Sequence, residues 1–229
     1  MNRVSIDKDL LDLLVASVQP LPDNVPEAIS APEPIIDRLP EPAIVALAPI
    51  PENANKPAPL MAWGSKVSAT FRARIWWMAC MFRMDPNWIM ACIAWESGES
   101  FSPSKKNMAG SGAVGLIQFM PDTAKELGTT TAKLAAMTAE DQINWVYRYF
   151  KLTIERHGAL TTIEDTYMAI LWPAAIGKPV ASALWDKATR PTTYRQNAGL
   201  DSNKDGTITK FEAASHVRDK LTKGLRLAA

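Results

Sequence analysis

One carboxylate stands out for its surroundings. Residues 92–101 read CIAWESGESF, so Glu96 closes an apolar run and precedes Ser97-Gly98. An acid at the end of a buried helix, against the Trp95 indole, loses hydration. Desolvation disfavours its charged form and raises its pKa. A general acid needs that property to protonate a leaving oxygen near neutral pH. The alternative is a helix-end carboxylate facing water. Glu99 competes locally but lies past Gly98 in more polar sequence. Further on, AGSGAVGLIQFM (109–120) sets Gly110, Gly112 and Gly115 at G-x-G-x-x-G spacing. That fingerprint binds a dinucleotide only after a strand, inside a βαβ unit. Here SPSKKNM precedes it, which is polar and not a strand. The glycines instead let backbone pass close to a ligand or to the Glu96 helix. Gln118 presents an amide between Ile117 and Phe119, to brace the fold or to bond a polar substrate such as a sugar.

A second constellation lies near the C-terminus. Residues 201–212 read DSNKDGTITKFE. Asp201, Asn203 and Asp205 occupy positions 1, 3 and 5 of an EF-hand loop, with Gly206 at 6. Thr207 serves position 7 through its carbonyl, Thr209 position 9 and Glu212 position 12. Hard oxygen ligands at this spacing suit Ca²⁺. Asp-Gly is also a common turn, and Thr209-x-x-Glu212 is also a helix capping box. Neither explains Asp201 and Asn203. The exiting helix is clear from about Lys210 to Leu221. The entering one is poor, because PTTYRQNAGL is short and interrupted by Gly199. A lone site of this kind braces structure rather than acting as a sensor. No zinc cluster is spaced in the chain; His157 and His216 are far apart and suit charge placement at helix ends.

The elements that must position these groups are helical. Residues 66–83 form one helix. Asp85-Pro86 starts the next, 86–97, apolar on nearly all sides and therefore central. Pro121 opens a helix closed by Gly128. Thr138 caps a long amphipathic helix to His157, and another runs from Thr162 to Trp172, ending before Pro173. Convincing alternating strands are missing, so the fold class is mainly α. Cys80 and Cys92 sit in apolar helical context and read as buried free thiols.

Composition divides the 229 residues. No Phe, Trp or Tyr occurs before Trp63, and 11 of 17 Pro fall between Pro20 and Pro59. Residues 1–60 hold 4 basic and 9 acidic side chains, and 61–229 hold 21 and 15. The resulting net of +6 suits an anionic polymer but is too small to argue for nucleic acid. Residues 1–19 read as an amphipathic helix and 20–62 as an extended Pro-rich linker. A docking peptide on a tether and a plain tail are both open readings. The N-terminus carries acids inside its apolar stretch, unlike a secretory signal, and no run is long enough to span a membrane.

IAWESG followed by GSGAVGLIQFMPDTAKELG resembles the soluble lytic transglycosylase family, with its goose-type-lysozyme-like fold, and phage-encoded members most closely. The likeness covers roughly 66–185. It places the family's Glu-Ser pair on Glu96-Ser97 and its Gly-Leu-Met-Gln motif on Gly115–Gln118. DQINWVYRYFKL places its Tyr on Tyr149. Two departures stand out: Phe101 comes five residues after the Glu rather than three, and ILWPAAIG sets Trp172-Pro173 where the family has Tyr-Asn. The resemblance implies a catalytic domain over 63–190, with an EF-hand-like segment at 191–229. It implies Glu96 as acid and base, with Ser97, Gln118, Phe119, Tyr149 and Trp172 on the glycan. It implies cleavage between N-acetylmuramic acid and N-acetylglucosamine with a 1,6-anhydro product, and no cofactor for catalysis. A second carboxylate, Asp122, Asp141 or Asp165, would favour hydrolysis instead. A virion protein that only grips glycan is the other alternative. The expected setting is a phage-delivered enzyme, docked through residues 1–60, acting on host peptidoglycan in the periplasm.

Overall fold

In a computed structural model, the described residues are 60–108 and 110–228. The expected N-terminal helix and most of the Pro-rich linker lie outside them. The described part is mainly helical, consistent with a lysozyme-like helical domain.

Helix α1 (Ala69–Phe82) begins where the Ser68 hydroxyl accepts the Phe71 N–H. Helix α2 (Pro86–Glu96) starts at Asp85, whose carboxylate accepts the Asn87 N–H, with Pro86 in the first turn. Six consecutive residues of α2, Ile89 to Ala94, are fully buried. An element apolar on every side must be surrounded, and α2 is. It packs against α1, against α6 (Ile163–Leu171) and against α9 (Ser215–Ala228). Between them come α3 (Pro121–Glu126), α4 (Thr131–Ala135) and the long α5 (Ala139–His157). Thr138 caps α5, and Gly158, at φ +101°, ends it. Its buried stripe is Gln142, Ile143, Val146, Phe150 and Thr153. Trp172 ends α6 in extended backbone before Pro173.

The chain then forms two short strands, which the sequence reading lacked. Strand β1 (Ala183–Asp186) pairs antiparallel with β2 (Thr207–Thr209), with an irregular register between Ala183 and Trp185. Between them lies α7 (Pro191–Asn197), followed by a 3₁₀ turn through Gly199. After β2 come α8 (Lys210–Ala213) and α9, so the exiting helix is broken at Ala214 and runs past Leu221. The residues after 190 do not stand apart. β2 pairs with β1 from before that boundary, and α9 lies on α2.

Two expectations need correction. Cys92 is buried, but Cys80 is exposed. Helix α1 is apolar around most of its circumference, so periodicity does not say which face turns outward. His216 does not place charge at a helix end. It stacks on Trp95 at 4.5 Å and 7°, and burial lowers its pKa, against a smaller opposing effect of Asp219. No helix among the described residues is long and apolar enough to cross a membrane.

Candidate active site

Glu96 is the last residue of α2, held there by the helix's own bonds. Its carboxyl group is pushed up to about 8 by desolvation alone. The residue as a whole is half-buried, and the two facts are compatible. Burial of the carboxyl end disfavours its charged form even though the residue keeps some exposure. Cys92, Tyr149 and Tyr167 are close enough to feel its charge, and each is raised chiefly by its own burial. A carboxylic acid in this setting is protonated at neutral pH.

The neighbouring indole is held from three directions. Trp95 Nε1 donates to Tyr167 Oη at 3.1 Å, His216 stacks on the ring, and Lys220 Nζ lies 5.9 Å from its centre. Two of these groups come from α9.

The turn after Glu96 is tight. Gly98 and Glu99 lie at φ +60° and +64°, and the Glu99 N–H donates to Ala94 O at 2.7 Å. Ser97 is fully buried, and its hydroxyl accepts the Phe101 N–H at 3.0 Å. The placement makes Ser97 a brace of this turn, with its own O–H donor still free of that contact. Phe101 packs inward on Trp63 and Phe71. The two extra residues therefore bulge outward, and Glu99 reaches Lys220 at 2.5 Å and Lys223 at 2.7 Å. Partial burial opposes ionisation of Glu99, but the two lysine hydrogen bonds outweigh it and lower its pKa. Glu96 and Glu99, three residues apart, are thus driven in opposite directions. Only Glu96 suits an acid.

The glycine-rich turn is wired to a residue the sequence reading passed over. Gln142 is fully buried. Its Oε1 accepts the Leu116 N–H at 2.7 Å, and its Nε2 donates to Pro103 O and Leu134 O at 2.9 and 2.8 Å. Gly115, at φ +90°, leaves no room for a methyl group beside that carboxamide. A polar residue inside the apolar stripe of α5 was the available signal. Gln118 braces the same turn, with Nε2 donating to Lys105 O and Gly115 O at 3.1 and 3.0 Å. Its Oε1 has no partner among the described residues. Phe119 is core and meets Tyr149 edge-on at 6.2 Å. Tyr149 Oη donates to Ala169 O at 2.6 Å.

Trp172 is half-buried beyond α6. Trp185 stacks on it at 5.5 Å, with Lys178 Nζ and the Arg190 guanidinium 5.3 and 5.5 Å from its ring centre. The indole belongs to a packed aromatic and cationic cluster rather than standing alone.

None of the three candidate second carboxylates adds to the Glu96 shift. Asp165 is buried against Lys210 Nζ at 2.5 Å; Asp141, in the first turn of α5, accepts the Thr138 hydroxyl at 2.8 Å and pairs with Arg74 at 3.2 Å; Asp122 lies exposed in the first turn of α3.

In the 201–212 loop, Asp201 Oδ2 accepts bonds from Tyr194 Oη at 2.6 Å and the Gly206 N–H at 3.0 Å. Asn203 accepts from Asp205 N, and Asp205 from Thr207 N. Thr209 and Glu212 form the capping box of α8. Among the described residues no three His, Cys, Asp or Glu side chains converge closely enough to hold a metal ion. The loop oxygens are turned into its own bonds instead. One atom is not: Asp201 Oδ1 is buried without a partner, in a residue 6 % exposed. The donor chemistry and this orphan oxygen fit a hard cation, which would exchange intraloop bonds for ligation.

The helical domain, with a desolvated carboxyl at the end of its central helix, is consistent with a lysozyme-like fold. Residues 75–167, from α1 to Tyr167 in α6, match the family model described as Transglycosylase SLT domain. The match supports a lytic transglycosylase-type function directed at peptidoglycan. No curated protein and no solved structure matches the chain.

Proposed function

We propose that the protein is a lytic transglycosylase that cuts peptidoglycan glycan strands, with Glu96 as its only catalytic carboxyl group. The observation that carries this reading is a Glu96 pKa near 8 produced by burial without help from another carboxylate, inside the segment that matches the family model. Glu96 donates its proton to the oxygen linking N-acetylmuramic acid to N-acetylglucosamine, and that bond breaks. The substrate's acetamido group stabilises the electron-poor carbon. Glu96, now a carboxylate, takes the proton of the muramyl 6-hydroxyl, whose oxygen closes the 1,6-anhydro ring and restores the acid. Ordinary glycosidases need two carboxyl groups; this sequence of steps needs one. Gln118 Oε1 is offered to the glycan, and Trp172 forms part of the wall it meets. Ser97, Phe119 and Tyr149 serve by holding these groups in place.

The test is digestion of purified cell wall by the protein and by Glu96→Gln, read by product mass. Anhydro ends are expected from the first and none from the second. Reducing ends would make the enzyme a muramidase. Equal cleavage by both proteins would remove Glu96 from the chemistry. Binding without products would leave a glycan-gripping structural protein. We assign residues 1–60 to docking on a virion that carries the enzyme to host peptidoglycan.

The 201–212 loop is proposed to take Ca²⁺ through Asp201, Asn203, Asp205, Thr207, Thr209 and Glu212. The expected result is a higher melting temperature in Ca²⁺ than in EDTA, a difference that Asp201→Ala abolishes.

A further inference from the structure

We propose that Ca²⁺ at the 201–212 loop controls the Trp172–Trp185 wall, and so the grip on glycan, making the metal a regulator of binding rather than a brace alone. The inference rests on the glycan and calcium readings above and adds the link between them.

The loop does not end at its ligands. Its second half is strand β2, and among the described residues β2 pairs only with β1. Ile208, at loop position 8, lies opposite Trp185. Thr207 Oγ1 donates to Asp186 Oδ2 at 3.1 Å, and the Lys187 N–H donates to Gly206 O at 2.8 Å. Trp185 is 4 % exposed and stacks on Trp172. The strand carrying the inner indole therefore hangs on the loop. A two-stranded ribbon this short and irregular has little stability of its own. The loop is one support of β1, beside α7 and the core that holds Leu184 and Trp185.

A second connection reaches the same indole from the other side. Lys210, at loop position 10, is 1 % exposed. Its ammonium bonds Asp165 Oδ1 at 2.5 Å and Lys178 O at 2.9 Å. Lys178 extends its own ammonium over Trp172. The Asp165 carboxylate also accepts the Gly177 N–H at 2.9 Å. So the segment 177–178 is pinned by a residue between two proposed ligands, Thr209 and Glu212. Trp172 is thus bounded by two groups that both answer to the loop.

Asp201 Oδ1 is buried in the loop with nothing to bond. A cation that satisfies this oxygen draws the loop to one conformation, and the two connections pass that on to the indole pair.

Coupling of this kind is reciprocal. The experiment uses the full chain carrying Glu96→Gln, so that glycan is bound and not consumed. Sedimentation with purified sacculi is measured in Ca²⁺ and in EDTA, and CaCl₂ is titrated calorimetrically with and without soluble glycan fragments. Ca²⁺ should tighten sacculus binding about fivefold or more, and glycan should tighten Ca²⁺ by the same factor. Adding Trp185→Leu, or Trp172→Leu at the half-buried partner, should leave Ca²⁺ binding in place and remove the coupling. Addition of Ca²⁺ should also shift tryptophan emission, and Trp185→Leu should suppress that shift. A calcium isotherm with unchanged sacculus binding overturns the proposal and leaves the glycan reading intact. So does coupling that survives both tryptophan substitutions. An absent calcium isotherm overturns it through the metal, and absent sacculus binding in both states overturns it through the function.

Discussion

Glu96 ties protonation to both rate and stability. Its folded pKa is about 8, against an unfolded value of about 4.3. Between these values the folded state holds a proton that the unfolded state has released. Stability therefore falls as pH rises through that window and levels off above it. Glu96→Gln removes this penalty. It should raise stability by about 2 kcal/mol near neutral pH, allowing for residual solvent around the carboxyl, while abolishing cleavage. Below about pH 4 the gain should vanish. Wild-type kcat/KM should fall on the alkaline side with an apparent pKa near 8, where the acid is lost. An alkaline limb set well above pH 9 would point to another acid. The carboxyl was legible in the sequence because its surroundings are local: Trp95, Cys92 and Ile93 lie within four residues. Of its other neighbours, Tyr149 was named only through the family resemblance, and Tyr167 arrives only through folding.

At the scale of elements, the helix starts were legible because each carries its own chemistry. Asp85, Thr138 and Thr162 cap the helices they precede, whereas the first helix, expected from residue 66, begins only after its cap Ser68. What local pattern could not supply was pairing across the chain. Glu99 and Lys220 are 121 residues apart, and Asp165 and Lys210 are 45 apart. No periodicity announces either contact. Lys210 read from sequence as the start of an exit helix; in the structure it joins α6 to the loop before β1. Its ammonium is buried with Asp165, whose burial opposes ionisation but whose hydrogen bonds, led by Lys210, lower its pKa. Removing one partner strands the other. Lys210→Met should cost about 3–5 kcal/mol, and adding Asp165→Leu should recover much of that loss. Thermal or denaturant melts of the two variants measure it. A double variant no better than the single would show that the pair is not the relevant unit. In wild type the contribution of Asp165 is present at neutral pH and lost as pH falls through its lowered pKa.

The whole molecule extends past the matched segment. The family match ends at Tyr167, yet two of the three groups that hold Trp95, and both lysines that hold Glu99, come from α9. A fragment of residues 60–229 contains every element described here. It should melt with the full chain and digest isolated cell wall at the same rate. A fragment of residues 60–190 lacks His216, Lys220 and Lys223, and exposes the α2 face that α9 covers. It should lose soluble expression or cleavage. An active, stable 60–190 fragment would reduce α9 to an ornament.

Trp63 is fully buried against α9: its N–H donates to Gly224 O at 3.3 Å, its Nε1 donates to Lys220 O at 2.9 Å, and Gly224 leaves no space for a methyl group beside its ring. The first and last turns of the described domain are therefore neighbours. Cargo fused behind residue 228 would leave from nearly the same pole as the segment that precedes Leu60. Evolution, or an engineer, could move an appendage from the front of this domain to its back without turning Glu96 to face a different way.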